Sequence, residues 1–411
     1  MAEKTVLIIT DAFPPSFAPR MGYLAKYLGE HGWKGIAVSP AFDHEKNTVV
    51  NFEFLSGNIP YKMIYTQKRK RNLLFRAISF FIPDMRIAAW DLNKKMKYSV
   101  ENLIEKNQID MILCSSAYSV FPLNIAYNVA KKYGISWIAD LRDIYEQCSG
   151  KLSLIRRIHT KIGIQRRNSI LKSASIITTV SKKHAEVLRN YGLNTCVIYN
   201  GADTSIFTPA KYHSLDKFII LYTGKIRPFQ LLSRDVSPLF SAIQKLHANS
   251  AIDNKRFRVQ FYSDTKSQKI INDLKISFGV SDFIDCFDLV SSAEIPKILN
   301  DSSVLLLLLG RGNKGIMTTK FFEYLAVGRP ILCIWSDEGE VEEIINNSRA
   351  GIAAKTEDDV KCFIMAKYNE WLETGYTKEH DIEANNTKEF SRKYNAKQFV
   401  ELFENALNAK N

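Results

Sequence analysis

The run Val304-Leu-Leu-Leu-Leu-Leu309 and the segment that follows it constrain this chain more than any other stretch. Six apolar residues without alternation fit a strand buried on both faces of a parallel sheet. The run breaks into Gly310-Arg-Gly-Asn-Lys-Gly315, a basic glycine loop. A helix follows, with Thr318 or Thr319 placed to cap it and Gly328 and Pro330 placed to end it. A strand that passes through such a loop into a helix N-terminus makes an anion site, because free backbone N–H groups and the helix dipole point at the loop. Glu323 lies one turn deeper on the face of Thr319. A phosphate at the helix mouth would leave a neighbouring sugar hydroxyl near that carboxylate, so the stretch reads as a nucleotide site. Lys320 and Glu323 equally suit an i, i+3 ion pair on an ordinary helix.

At 411 residues the chain suits two domains better than one core. No apolar run approaches the ~18–20 residues of a membrane span, and Met1-Ala-Glu-Lys4 runs straight into a strand, so no leader is expected. Six scattered cysteines without metal spacing imply buried thiols in a reducing compartment, and a cytoplasmic location is expected. The excess of 56 Lys and Arg over 43 Asp and Glu, net +13, attracts anions: nucleic acid, acidic lipid headgroups or phosphorylated small molecules. No helix–turn–helix, zinc finger or RNA-binding aromatic pattern is present, so no nucleic-acid partner is expected.

The N-terminal strand at 5–10, the proline-rich loop 11–20, a helix from about Met21 to His31 and a strand at 35–39 open a doubly wound sheet. The opening loop lacks the GxGxxG fingerprint of an NAD enzyme. Strands at 111–115, 136–141, 175–180 and 196–200 continue it, with a long basic helix between about 152 and 172 and Ser181 capping the helix that contains His184. A second set of strands begins at Phe218 and ends near Ala354. The expected division is a first domain 1–205, a linker 206–217, a second domain 218–385 and an amphipathic C-terminal helix 386–411 that folds back on the first domain. Between 67 and 96, Lys68-Arg-Lys-Arg71 precedes Leu73-Leu-Phe-Arg-Ala-Ile-Ser-Phe-Phe-Ile82. A basic cluster before an apolar, aromatic helix suits peripheral contact of 68–82 with an anionic membrane, or a hairpin packed on the sheet with solvated charges.

Two Rossmann-like halves, Asp140-Leu-Arg-Asp143, Asn200-Gly201 with Asp203, Tyr222-Thr-Gly-Lys-Ile-Arg227 and Lys320-Phe-Phe-Glu-Tyr-Leu-Ala-Val-Gly-Arg-Pro330 occur in an order and spacing that resemble glycosyltransferase family 4. These are retaining enzymes of the GT-B fold, and the resemblance spans nearly the whole chain. It implies two doubly wound domains facing a cleft and a nucleoside diphosphate sugar as donor. Gly224, Lys225 and Arg227 would face the donor diphosphate, with the two cations meeting charge on the departing group. Backbone amides of Ile316 to Thr319, with Gly315 and Lys320 beside them, would add to the cradle. Glu323 matches the ribose-binding glutamate of the family's pair, and the loop holding Val290 would meet the base. The pair's first glutamate is replaced by Gly315, which leaves the sugar open. Glycine-containing versions resemble the branch that builds bacterial surface polysaccharides, although Met317 stands where that branch often has proline. Asp140, Arg142 and Asp143 are acceptor-side catalytic candidates; an internal Asp–Arg pair that fixes the loop is the other reading.

No Asp-x-Asp triplet and no metal-ligand spacing occurs, so neither a metal nor a cofactor is expected. Ser115-Ser-Ala-Tyr-Ser119 carries no histidine where many relatives do, and in a retaining mechanism the leaving diphosphate accepts the acceptor's proton. The resemblance implies transfer of a sugar to a glycan or lipid-linked acceptor. A nucleotide-sugar epimerase of the same fold and a non-catalytic nucleotide-sugar binder are the alternatives.

Overall fold

The structure, a computed structural model, describes residues 3–14, 18–41, 60–65, 87–117, 120–148, 154–209, 214–226, 234–310, 314–377 and 387–409. Arg227 and the whole of 68–82 lie outside them. The chain forms two compact units, 1–200 with 392–411, and 201–391.

The first unit runs β1 (Lys4–Thr10), α1 (Pro19–Tyr27), β2 (Trp33–Ala41), β3 (Tyr61–Tyr65), α2 (Ile87–Lys106), β4 (Met111–Ser116), α3 (Val120–Tyr133), β5 (Trp137–Leu141), α4 (Leu154–Leu171), β6 (Ile176–Thr179), α5 (Lys182–Arg189) and β7 (Thr195–Val197). All seven strands are parallel, in the order β3-β2-β1-β4-β5-β6-β7. The order reverses between β1 and β4, which opens a crevice at their C-terminal ends. The helix expected at 21–31 starts at Pro19, whose fixed φ suits a first helical position. It tightens into a 3₁₀ turn over Leu28–His31, and Gly32 ends that turn at φ 74°.

The second unit runs β8 (Phe218–Thr223), α6 (Ser237–Ala248), β9 (Phe257–Tyr262), α7 (Thr265–Ser277), β10 (Ile284–Phe287), α8 (Ile295–Asn300), β11 (Val304–Leu308), α9 (Thr319–Val327), β12 (Ile331–Ile334), α10 (Glu340–Asn347), β13 (Gly351–Ala354) and α11 (Glu357–Thr374). Its six parallel strands are ordered β10-β9-β8-β11-β12-β13 and reverse between β8 and β11. Every residue of β11 is buried, as the unbroken leucine run requires: Leu306 and Leu308 face the main core cluster while Leu305 and Leu307 are covered from the other side. Phe218, Phe257, Tyr368 and Trp371 interlock at its base, with Phe218 and Tyr368 edge to face at 5.4 Å.

The last helix, α12 (Arg392–Asn408), belongs to the first unit and packs on α1. Phe403 sits 5.0 Å from the Trp33 ring, Trp33 Nε1 donates to Glu404 at 2.9 Å, and the Arg20 guanidinium covers Phe399 at 5.2 Å. Of the cysteines expected to be buried, Cys114 and Cys333 are, but Cys362 on α11 is exposed, because its position falls on the solvent face of that helix.

Candidate functional site

In the second unit, the loops after β8 and β11 flank the switch point of the sheet. β8 is followed by Gly224, whose φ of 124° only glycine adopts readily. Its carbonyl accepts from Ser263 Oγ at 2.7 Å and its N–H donates to Tyr262 at 2.8 Å. Lys225 follows, exposed, and its carbonyl receives Tyr222 Oη at 3.0 Å and Arg234 Nη1 at 2.8 Å. Opposite stands the α9 N-terminus. Thr318 has the extended N-cap conformation (φ -76°, ψ 146°), but its hydroxyl caps nothing, and Oγ1 is buried without a partner among the described residues. Gly315 is buried at φ 85°, Met317 is buried, and Ile316 and Thr319 are half-buried. Gly328 closes the helix in the left-handed conformation.

Lys320, at the second position of α9, reaches across to β8. Its ammonium lies 4.9 Å above the Tyr222 ring, and a β-carbon on residue 224 would stand 1.9 Å from Lys320 Nζ. Among the described residues the amine has no hydrogen bond or salt bridge, so the expected alternative, an i, i+3 pair with Glu323, is not what holds it. Desolvation, with the Arg234 charge adding to it and Glu323 partly opposing it, pulls the amine down to about 7. Arg234 and Lys320 thus stand at one helix mouth, beside the exposed Lys225, with half-buried Glu323 a turn deeper. Val290 lies half-buried beyond β10, where Gln268 bridges the Phe287 carbonyl at 3.1 Å and the Asp288 carboxylate at 2.9 Å. Tyr262 and Phe287 stack nearby at 4.8 Å.

In the first unit, Asp140 is fully buried at the end of β5. Arg20 clasps it from α1, with Nε at 3.1 and 3.0 Å from its two oxygens and Nη2 at 2.8 Å. Ser115 Oγ at 2.8 Å and Thr178 Oγ1 at 2.7 Å complete five hydrogen bonds. That exhausts a carboxylate's acceptor sites. Burial works to raise the Asp140 pKa, but the Arg20 charge and these hydrogen bonds prevail and hold it below the usual carboxylate range. The same guanidinium donates to the Tyr199 and Ile198 carbonyls, each at 2.9 Å, so one side chain ties α1 to the ends of β5 and β7. Arg142 pairs instead with Asp11, across the β1–β4 switch point, where Asp11 also accepts the Ala117 N–H at 2.9 Å. The internal pair considered for this loop is therefore replaced by two separate ones. Asp143 accepts from Gln147 at 2.9 Å. His184, on α5 behind the Ser181 cap, is buried with both ring nitrogens unpartnered among the described residues. Its pKa falls to about 4, mainly by desolvation, against the opposing charges of Asp143 and Glu146.

Sequence reasoning missed Arg20, Asp11, Arg234 and Gln268. Arg20 carried a signal, since it is the one charge in the first turn of a proline-started helix at the crevice. Arg234 carried none; it lies nine residues past Lys225 in sequence and meets it only through the backbone carbonyl.

No protein-family model matches the chain, and no curated protein matches its sequence. Solved structures do. A sucrose-phosphate synthase from Thermosynechococcus elongatus aligns with a TM-score of 0.65 at 12% identity, over 99% of this chain and 100% of its own. The HepE protein of Anabaena, solved with UDP and glucose, aligns at 0.64 and 12% identity, over 98% of this chain and 99% of its own. The fold is GT-B. A UDP-GlcNAc 2-epimerase from Methanocaldococcus jannaschii aligns at 0.55 and 13% identity, over 98% of this chain and 99% of its own. A GT-B chain is therefore similar to proteins of two reaction types, and the choice between them rests on the site.

Proposed function

We propose that the protein is a glycosyltransferase that moves a sugar from a nucleoside diphosphate sugar to a glycan or lipid-linked acceptor, with retention, in surface polysaccharide synthesis. One observation carries the reading: Lys320 Nζ lies against Gly224 at the N-terminus of α9, with the Arg234 guanidinium held nearby on the Lys225 carbonyl, where a diphosphate would meet these cations and the leading backbone amides of the helix. Thr318 Oγ1, buried and unpartnered, would donate to a phosphate oxygen. Glu323 would accept the ribose hydroxyls, and the Tyr262–Phe287 face beside Val290 would receive the base.

In the proposed reaction the acceptor oxygen attacks the anomeric carbon as its bond to the diphosphate breaks. The acceptor's proton passes to the departing phosphate oxygen. Cations that stabilise the leaving group more than the intact donor lower the barrier. On the acceptor side, Asp140 acts by position, through Arg20, and does not touch the sugar; Arg142 and Asp143 remain the candidates for that contact. The cytoplasmic location and the membrane contact through 68–82 are parts of this proposal. Among the described residues no helix is long and apolar enough to cross a membrane.

Incubating the purified protein with UDP-, GDP- and ADP-sugars, with and without oligosaccharide or lipid-linked acceptors, tests the reading. Product that forms only with acceptor supports it. Conversion of the donor to its epimer without acceptor would identify the second reaction type, and binding without turnover a non-catalytic protein.

A further inference from the structure

The α4 helix carries a surface that the donor chemistry does not use. Leu154 and Ile158 are 73% and 51% exposed, on a helix whose 18 residues include no aspartate or glutamate. Arg157 and Lys161, both exposed, fall on the same stripe. Positions 154, 157, 158 and 161 follow the i, i+3, i+4, i+7 spacing of one helix face. Helices α2, α3 and α4 lie side by side, and all three cross toward β7, so right-handed connections place them on the same face of the sheet. On α2, Tyr98 is 69% exposed beside exposed Lys97. None of Lys97, Arg157 and Lys161 has a salt-bridge partner among the described residues.

We infer that this helical layer, centred on Leu154 and Ile158, rests on an anionic phospholipid bilayer. The charge has the right sign, on a chain of net +13. The apolar element is a few separate side chains on a convex surface, interleaved with cations. That suits shallow insertion between headgroups, whereas a stable protein interface buries about 800 Å² per partner. An exposed tyrosine such as Tyr98 suits the headgroup level. Helices of a parallel sheet begin at the strands' C-terminal edge, so Leu154, in the first turn of α4, lies on the edge that carries Arg142 and Asp143. The surface is separate from 68–82 and depends neither on that segment nor on the donor reading.

Co-sedimentation of the full chain with vesicles decides it. The wild type should pellet with phosphatidylcholine vesicles containing phosphatidylglycerol at low salt, and stay in solution with phosphatidylcholine alone. Leu154→Glu/Ile158→Glu and Arg157→Glu/Lys161→Glu should each lower the partition coefficient ~10-fold or more. Leu154→Ser/Ile158→Ser is a milder replacement for the first pair, and an unchanged circular dichroism spectrum and thermal midpoint certify the fold of each variant. Folded α4 variants that pellet like the wild type would overturn the inference, whether or not changing Lys68, Arg69, Lys70 and Arg71 to Glu abolishes binding. A wild type that stays in solution, or that pellets equally with neutral vesicles, would also overturn it. A dimer of wild type that the Leu154→Glu/Ile158→Glu change splits, without loss of vesicle binding, would identify a self-association face instead.

Discussion

Lys320 Nζ occupies the space beside Gly224 that a β-carbon there would need, 1.9 Å from that position, and Tyr222 supports it from below at 4.9 Å. A cation in the first turn of α9 is thus positioned by the absence of a side chain on the neighbouring strand end. Either residue alone looks ordinary; together they fix where positive charge stands at the helix mouth.

Gly224→Ala tests that relationship. The flexible amine can move away from the new methyl, but the φ of 124° cannot be relieved, and such strain costs roughly 1–3 kcal/mol. Urea unfolding should show that loss, and titration should show weaker binding of a nucleoside diphosphate, since the displaced ammonium no longer faces the cradle. Unchanged stability and affinity would separate Gly224 from both roles.

The Lys320 amine should make nucleotide affinity depend on pH. Its pKa is about 7 in the free protein, against about 10.4 unfolded. A bound diphosphate favours the charged form, so binding takes up a proton once the pH exceeds 7, and affinity falls as pH rises from there. The sign for stability is the opposite. The desolvated ammonium penalises the folded state below pH 7, and the penalty lifts between 7 and the unfolded value. Calorimetric titration of UDP and GDP from pH 6 to 9 should show the decline in wild type and a flatter profile in Lys320→Arg, whose guanidinium stays charged. Equal slopes would remove Lys320 from the diphosphate site.

Asp140→Asn should destabilise the first unit by about 3–5 kcal/mol, because it leaves the buried Arg20 guanidinium without its counter-charge. Arg20→Met/Asp140→Leu, which removes both charges, should be closer to wild type. The carboxyl's pKa is held below its unfolded value, so the pair's contribution is full above about pH 4 and is lost as pH falls through the lower folded value. Denaturant melts of the three proteins measure this. An Asp140→Asn protein as stable as wild type but catalytically dead would return Asp140 to the chemistry.

His184 predicts an acid limb of its own. Buried and neutral, it has a folded pKa near 4 against about 6.5 unfolded, so the unfolded chain binds its proton first as pH drops. Stability from this site is full above 6.5 and declines toward pH 4, by roughly 3 kcal/mol in all. His184→Phe should flatten the dependence of thermal midpoint on pH between 6.5 and 4. A variant with the wild-type slope would show that the imidazole titrates normally.

The fold was legible because its main signals are local. Buried parallel strands announce themselves as apolar runs, so β11 at Val304–Leu308 and β8 at Phe218–Thr223 stand within two residues of expectation. Edge strand β3 escaped, because Tyr61-Lys-Met-Ile-Tyr65 is short and mixed in character and is recruited by pairing with β2. The segment from β11 to α9 was legible for the same reason, as strand, glycine-bearing loop and helix follow one another in sequence. The partners of Asp140 and Arg142 were not. Arg20 meets Asp140 across 120 positions and Asp11 meets Arg142 across 131, and no spacing rule reaches that far.

Synthesis of this chain meets a constraint set by α12. The first unit is the first to leave the ribosome, yet α1 and Trp33 lack their cover until 392–408 have been made, after the whole of the second unit. The second unit can close as soon as its own strands have emerged. The N-terminal half must wait with an apolar flank bare, and is completed last although it was begun first.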